Sequence, residues 1–170
     1  GSPTWRLFRD IVGVEIFGAG NDARNYGDST DIYVTLDVRF ADESTGTAWM
    51  GVRVEPSLTG ADLVGYIFEI TRHQDGTYTF IIRYQSATRR EVYFEGVLPG
   101  TDGTLETQDG WINLIAITFE DQLAFFANGR FITSIDNAID LGGTIALGVE
   151  EFTTADFDTL IIRDTTPHGG

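Results

Sequence analysis

Residues 31–41, DIYVTLDVRFA, alternate between apolar and polar or amphipathic side chains along their whole length. Every second residue from Ile32 to Phe40 is apolar. Successive side chains of a β-strand point to opposite faces of its sheet, so this period of two predicts a strand with one face in a core and the other in water.

Runs of the same kind continue to the end of the chain, separated by turn-forming residues. Asp75-Gly76 and Asn128-Gly129 lie between such runs and predict tight hairpins, because primed β-turns need residues that accept positive φ. This spacing predicts an all-β fold, a two-sheet antiparallel β-sandwich (jelly roll) of about 10–12 strands. The predicted strands are 31–41, 47–55, 63–72, 77–85, 89–97, 111–120, 122–127, 130–135, 144–150 and 155–163, with one or two more in 5–17.

The length of 170 residues suits a single domain, which we expect to span 3–164. Gly1-Ser2 (1–2) resembles the remnant that a protease leaves when an expression tag is removed, and 165–170 has the composition of a flexible tail or linker. We therefore expect one module of a larger protein.

Charge and composition exclude several classes of function. The net charge is −15 and all 11 basic residues are arginine, so the protein repels nucleic acid and attracts cations. The absence of cysteine excludes disulfides and thiolate metal sites. No apolar run reaches the length of a membrane span, so we expect no membrane insertion.

The second half of the chain carries a recognisable order of features. Four features follow one another: the strand that begins Trp111-Ile112-Asn113, the turn Asn128-Gly129, the Gly142-Gly143 to Gly148 strand, and the last strand with Phe157-Asp158-Thr159-Leu160. With GVRV at Gly51 and GYIFEI at Gly65, this order resembles concanavalin A-like, laminin-G-like jelly-roll domains of the bacterial extracellular type. The resemblance covers roughly 31–163.

The resemblance implies a sugar or protein ligand, often with a calcium ion. It does not supply catalytic residues. Glucanases of this fold carry a Glu-x-Asp-x-(x)-Glu strand, whereas Glu91-Val92-Tyr93-Phe94-Glu95 lacks the intervening aspartate. A catalytic pair would need carboxyls about 5–9.5 Å apart, and the Cα atoms of Glu91 and Glu95 in one strand lie about 13 Å apart.

If each apolar series faces the core, four consecutive strands present polar and aromatic side chains on the opposite face. Aromatic rings stack on the apolar side of a sugar, and arginine and carboxylate groups bond its hydroxyls. Gly51 and Gly65 would let a ligand approach the backbone. The alternative is a solvated sheet with cross-strand ion pairs of about 0.2–1 kcal/mol each. The predicted ligand residues are Trp49, Arg53, Glu69, Arg83, Glu91, Tyr93 and Glu95.

A second candidate site lies in the Gly-rich segment before the first long strand. Asp22, Asn25, Asp28 and Asp31 offer the oxygen ligands that calcium prefers, although without the EF-hand spacing. Asp and Asn are also ordinary turn formers. We expect no required cofactor, and a structural calcium ion is the candidate at this segment.

The leading hypothesis is a non-catalytic recognition module, extracellular or in the cell envelope, that binds carbohydrate through one sheet face or through edge loops. One alternative is a structural or adhesive domain that binds a protein surface. A second is a divergent glycoside hydrolase. If the ring of Trp49 is open for stacking, Trp49→Ala abolishes binding with little change in melting temperature.

Overall fold

Twelve β-strands lie in the part of the chain that the structure describes. The computed structural model describes residues 5–9, 13–17, 31–41, 45–55, 64–86, 88–99, 110–136, 138, 144–150 and 153–164. No helix in this part of the chain is long and apolar enough to cross a membrane. The strands are β1 (Trp5–Arg9), β2 (Gly13–Phe17), β3 (Ile32–Phe40), β4 (Gly46–Glu55), β5 (Val64–Arg72), β6 (Tyr78–Gln85), β7 (Arg90–Val97), β8 (Ile112–Phe119), β9 (Gln122–Ala127), β10 (Arg130–Ile135), β11 (Thr144–Val149) and β12 (Thr153–Asp164).

The strands form two six-stranded sheets. Sheet A has the order β1-β12-β3-β8-β9-β10, and sheet B has the order β2-β11-β4-β5-β6-β7. All neighbouring strands pair antiparallel. The predicted two-sheet antiparallel sandwich is confirmed. The expected boundaries of the domain at 1–2 and 165–170 lie outside the described residues.

The main core lies between the inner faces of the two sheets. In β3 the burial alternates strictly from Ile32 to Phe40, as the sequence predicts. Phe68 of sheet B meets Phe125 of sheet A edge to face, with ring centroids 5.7 Å apart. Such aromatic contacts add about 0.5–1.5 kcal/mol beyond the burial of their area. The core therefore joins the sheets and leaves each sheet one outer face.

Both predicted hairpins form, and the Asn128-Gly129 turn has the expected positive φ at both residues. At Asp75-Gly76 only Gly76 has positive φ, and its amide donates to the His73 carbonyl over 2.9 Å, so this turn is longer than predicted. Asn128 and Gly129 have φ of 51° and 78°, and Gly76 has φ of 87°. The Asn128 side chain also ties this hairpin to β8, since its Oδ1 accepts a hydrogen bond of 3.0 Å from the amide of Asn113. The turn between β8 and β9 has a further residue with positive φ, Glu120 at 51°.

Two β-bulges interrupt the alternation in sheet B. One lies in β4 between Val52 and Glu55, and the other lies in β7 opposite Ile82 and Arg83. A bulge inserts one unpaired residue, so side chains beyond it exchange faces. Val54, expected in the main core with Val52, instead belongs to a separate apolar cluster with Trp49. The two bulges decide which predicted residues share the outer face.

Candidate ligand-binding face

The outer face of sheet B is its surface away from sheet A, and it contains most of the predicted ligand positions. The register places Trp49 opposite Glu69, Glu69 opposite Ile81, and Ile81 opposite Glu95. A parallel row continues through Gly51, Ile67, Arg83 and Val92. The predicted polar face therefore exists, although its two halves differ.

The half over β11, β4 and β5 is apolar and buried. Trp49, Val54, Ile67 and Ala146 form the outer cluster there, and Trp49 is only 4% exposed. A Cβ on Gly51 would lie 2.8 Å from a Val54 methyl and 3.2 Å from Ile67 Cδ1. Gly51 therefore makes room for this cluster, and the expectation that the Trp49 ring is an open platform for stacking is wrong.

An ion pair lies at the boundary between the halves. Arg83 donates from Nη1 to Glu69 Oε2, and its Nε donates to Gln85 Oε1 over 3.1 Å. The Glu69 side chain is 13% exposed and the Arg83 side chain 7%. Of the predicted cross-strand ion pairs, the one between Glu69 and Arg83 is confirmed, although it is largely buried and not solvated. It orients three polar side chains beside the half-buried side chain of Ile81. Gln85 was not predicted from the sequence.

Glu150 follows β11 and joins this polar group electrostatically. Burial raises the pKa of the Glu150 carboxyl above its ordinary value; the negative charge of Glu69 raises it further, and Arg83 and Arg90 oppose the shift. The Glu150 carboxyl therefore lies within electrostatic range of the Glu69–Arg83 pair. In the sequence, the only feature that indicated the position of Glu150 was the alternation of larger apolar residues with the small residues Ala146 and Gly148, which places Glu150 on the same face as these two.

Arg53 does not lie on this face, contrary to the prediction. It has φ of 51° within the β4 bulge, and its side chain is buried. Its Nη2 donates to the carbonyl of Glu120 and lies 3.5 Å from Asp31 Oδ1. Arg53 therefore links sheet B to the β8–β9 turn of sheet A. Gly65, opposite this bulge, lets β5 approach, since a Cβ there would lie 3.0 Å from Val54 Cα.

The three predicted residues of β7 are divided between its two faces. Glu95 pairs with Ile81 and stays on the outer face, whereas Glu91 pairs with Tyr84 of the main core. The Tyr93 ring lies 6.2 Å from the ring of Tyr66, and Tyr66, like Tyr84, belongs to the main core. Placing Glu91 and Tyr93 on the outer face was wrong, because the bulge changes the parity of the strand. Glu91 and Glu95 therefore do not form a pair on one face.

Of the predicted calcium ligands, only Asp31 lies within the described residues; Asp22, Asn25 and Asp28 lie outside them. Asp31 Oδ1 accepts a 2.7 Å hydrogen bond from the Glu120 amide. The described residues contain no group of three His, Cys, Asp or Glu side chains that could hold a metal ion. The calcium site stays a prediction.

Comparison with solved structures identifies the fold. A carbohydrate-binding module, CBM66 from Bacillus subtilis, superposes with a TM-score of 0.64 at 13% identity over 94% of this chain and 86% of its own. The chain has the concanavalin A-like jelly-roll fold. The CBM2 module of the evolved Dit protein of Lactobacillus casei BL23 phage J-1 has a TM-score of 0.60 at 10% identity, covering 96% and 77%. Sheep galectin-11 has a TM-score of 0.53 at 8% identity, covering 90% and 98%. No family model and no curated protein matches the sequence.

Proposed function

We propose that this protein is a carbohydrate-binding module whose ligand lies across the β5–β7 half of the sheet B outer face. The observation that carries the proposal is the Glu69–Arg83–Gln85 network, held by hydrogen bonds beside Ile81 on the outer face. Small-ligand sites combine apolar surface with a few oriented polar groups in this way. Two of the similar structures named above are themselves called carbohydrate-binding modules, which supports the same ligand class.

The face divides the work of binding between its two halves. Trp49 and Ile67 form a buried apolar floor next to the polar network and are not themselves open to a ligand. The carboxylate of Glu69 is oriented by Arg83 to accept hydrogen bonds from sugar hydroxyls. Glu95, exposed on the neighbouring strand, extends the polar rim beyond Ile81. Trp49, Glu69, Arg83 and Glu95 thus keep a place in the proposal, in different roles.

A matched pair of variants on β7 tests this proposal. Glu95→Gln removes a charge from the outer face, and Glu91→Gln makes the same change on the other side of the same strand. A charged hydrogen bond contributes about 1.5–3 kcal/mol, so Glu95→Gln should weaken a glycan found on an array by about 10-fold or more in calorimetry. Glu91→Gln should leave the affinity unchanged. Absence of glycan binding, or equal losses in both variants, would reject the proposal.

We also propose that the module acts outside the cell or in the cell envelope, where carbohydrate ligands are abundant. The strongly acidic composition, with a net charge of −15, suits solubility there. Immunodetection in secreted and envelope fractions of the source cells should find the protein. Recovery from the cytoplasmic fraction alone would refute this placement.

The edge of sheet B favours the second candidate function, binding to a protein surface. β7 ends the sheet, and three of its apolar side chains are well exposed: Val92 by 47%, Phe94 by 45% and Val97 by 65%. An exposed edge strand with apolar side chains can pair with another strand. If this edge binds protein, Val97→Lys should abolish a concentration-dependent increase in sedimentation coefficient. A monomer at all concentrations, with no partner that requires Val97, would leave the edge without this role.

A further inference from the structure

A hollow of about 220 Å³ lies on the outer face of sheet A, on the opposite side of the sandwich from the proposed ligand face. It is located where β8, β9 and β10 lie side by side, next to the β8–β9 turn. Pockets for drug-sized ligands occupy about 300–1,000 Å³, so this hollow suits a smaller ligand of about one ring. The lining includes Ile117, Ala124, Phe119, Gln122, Ser134 and Asp136.

The hollow follows from side-chain size across the three strands. The register aligns Ile117 with Ala124 and Ala124 with Ser134, so the small side chains of Ala124 and Ser134 form its floor. The larger side chains of Ile117, Phe119 and Gln122 also line it, and Phe119 pairs with Gln122. Phe126 and Phe131, whose rings meet edge to face at 5.5 Å in the neighbouring row, are outside this lining. Large side chains thus stand beside small ones on the same sheet face.

The rim has the chemistry of a site for a sugar ring without negative charge. The Phe119 ring is 42% exposed and offers an apolar surface for stacking. Gln122, Ser134 and Asp136 supply an amide, a hydroxyl and a carboxylate around it. Among the described residues that line the hollow, none carries a positive charge, and Asp136 repels an anionic ligand.

The turn that carries two of these residues is fixed from three directions. The Glu120 amide donates to Asp31 over 2.7 Å, and the Glu120 carbonyl accepts from Arg53 of sheet B. The carbonyl of Asp121 accepts from the Ala138 amide over 2.7 Å. A site on well-anchored elements needs little ordering when a ligand binds. Arg53 therefore supports this hollow.

We propose that the hollow is a second saccharide subsite that takes one pyranose ring without negative charge. The ligand class follows from the side chains of the hollow itself, so the proposal holds whether or not sheet B binds sugar. With both sites occupied, the domain would bridge two glycan chains from opposite faces. Such bivalent binding raises avidity without any new contact.

The test is a titration of the labelled protein followed by amide chemical shifts, with galactose, glucosamine and glucuronic acid up to about 50 mM, which detects even millimolar affinity. Galactose or glucosamine should shift the amides of Phe119, Gln122 and Ser134, and glucuronic acid should not. Phe119→Ala should weaken the binding about 3- to 10-fold. Phe131→Ala removes a comparably exposed ring just outside the hollow and serves as the matched control.

The other outcomes decide against one of the two proposed sites. The hollow is rejected as a site if none of the three sugars shifts its amides, if glucuronic acid shifts them as strongly as galactose, or if Phe119→Ala and Phe131→Ala weaken binding equally. Shifts confined to Glu69, Ile81 and Glu95 would support the sheet B face while rejecting the second subsite. Shifts confined to the hollow would do the reverse, so the two proposals fail separately.

Discussion

Replacing Trp49 by alanine tests the division of the sheet B outer face into a buried apolar floor and a polar half that contains Glu69, Arg83 and Glu95. Trp49 is 4% exposed, and its ring packs over Gly51 together with the side chains of Val54 and Ile67. A buried Trp side chain removes about 200 Å² from water, which corresponds to about 5 kcal/mol at about 25 cal/mol per Å². Measured truncations of buried Phe or Trp to alanine cost about 3–5 kcal/mol.

For a chain of this length a loss of 1 kcal/mol lowers the melting temperature by about 2–4 °C, so Trp49→Ala should lower it by roughly 6–20 °C. Differential scanning calorimetry measures this change directly. Trp49→Phe should recover part of the loss, because a smaller ring still fills the floor. Phe131→Ala, at a side chain that is 58% exposed, should change the melting temperature little.

The opposite result would refute the structural argument. If Trp49→Ala melts with the wild type and loses a glycan that the wild type binds, the ring is an open stacking platform, as the sequence alone predicted. The outer cluster would then not be a structural floor, and the placement of the ligand over β5–β7 would have to move towards β4.

Three further predictions concern charges. Glu150→Gln should raise the melting temperature at pH 7 but not at pH 4. The folded pKa of Glu150 is raised above 4.5, so the stability linked to its protonated form is fully present below pH 4.5 and is lost as the pH rises through the folded pKa. Equal effects at both pH values would contradict this. Glu69→Gln should destabilise the fold by up to about 3–5 kcal/mol in urea unfolding, because it leaves the largely buried Arg83 without its carboxylate partner. A double variant, Glu69→Leu with Arg83→Met, should recover most of this loss, and no recovery would argue against the ion pair. Calcium at about 100 times its dissociation constant should add about 2.7 kcal/mol to the free energy of unfolding and raise the melting temperature, and Asp28→Ala should abolish this effect. A melting temperature that changes with neither calcium nor EDTA would reject the structural ion.

The sequence predicts the fold well because alternation and turn chemistry are local. The period of two in 31–41 directly gives the buried and exposed faces of β3, and Asn128-Gly129 specifies its own hairpin. The sandwich, the antiparallel pairing and the strand positions follow from such signals. Pairing between distant strands, such as β12 with β3, had no local signal and could not be predicted.

The candidate site was predicted less well, since alternation fails at a bulge and nothing in the local sequence marks either one. Beyond the β7 bulge, Glu91 and Tyr93 turn to the inner side while Glu95 stays outside. At the β4 bulge, Arg53 leaves the predicted face for a turn of the other sheet. Both errors have one cause: each bulge costs one residue of register, and one residue reverses the face.

The bulge in β4 also gives the two faces of the domain a physical connection. Because Arg53 turns inward there, Val54 turns outward and completes the floor under the sheet B face. The same Arg53 side chain holds the Glu120 carbonyl in the turn that carries Phe119 and Gln122 of the sheet A hollow. A change at Arg53 should therefore disturb both outer faces, whereas Glu69→Gln or Phe119→Ala should disturb only one. Coupling of this kind needs a rigid link between the two sheets. At this end of the sandwich Arg53 provides such a link, because its buried side chain bonds from one sheet to the other.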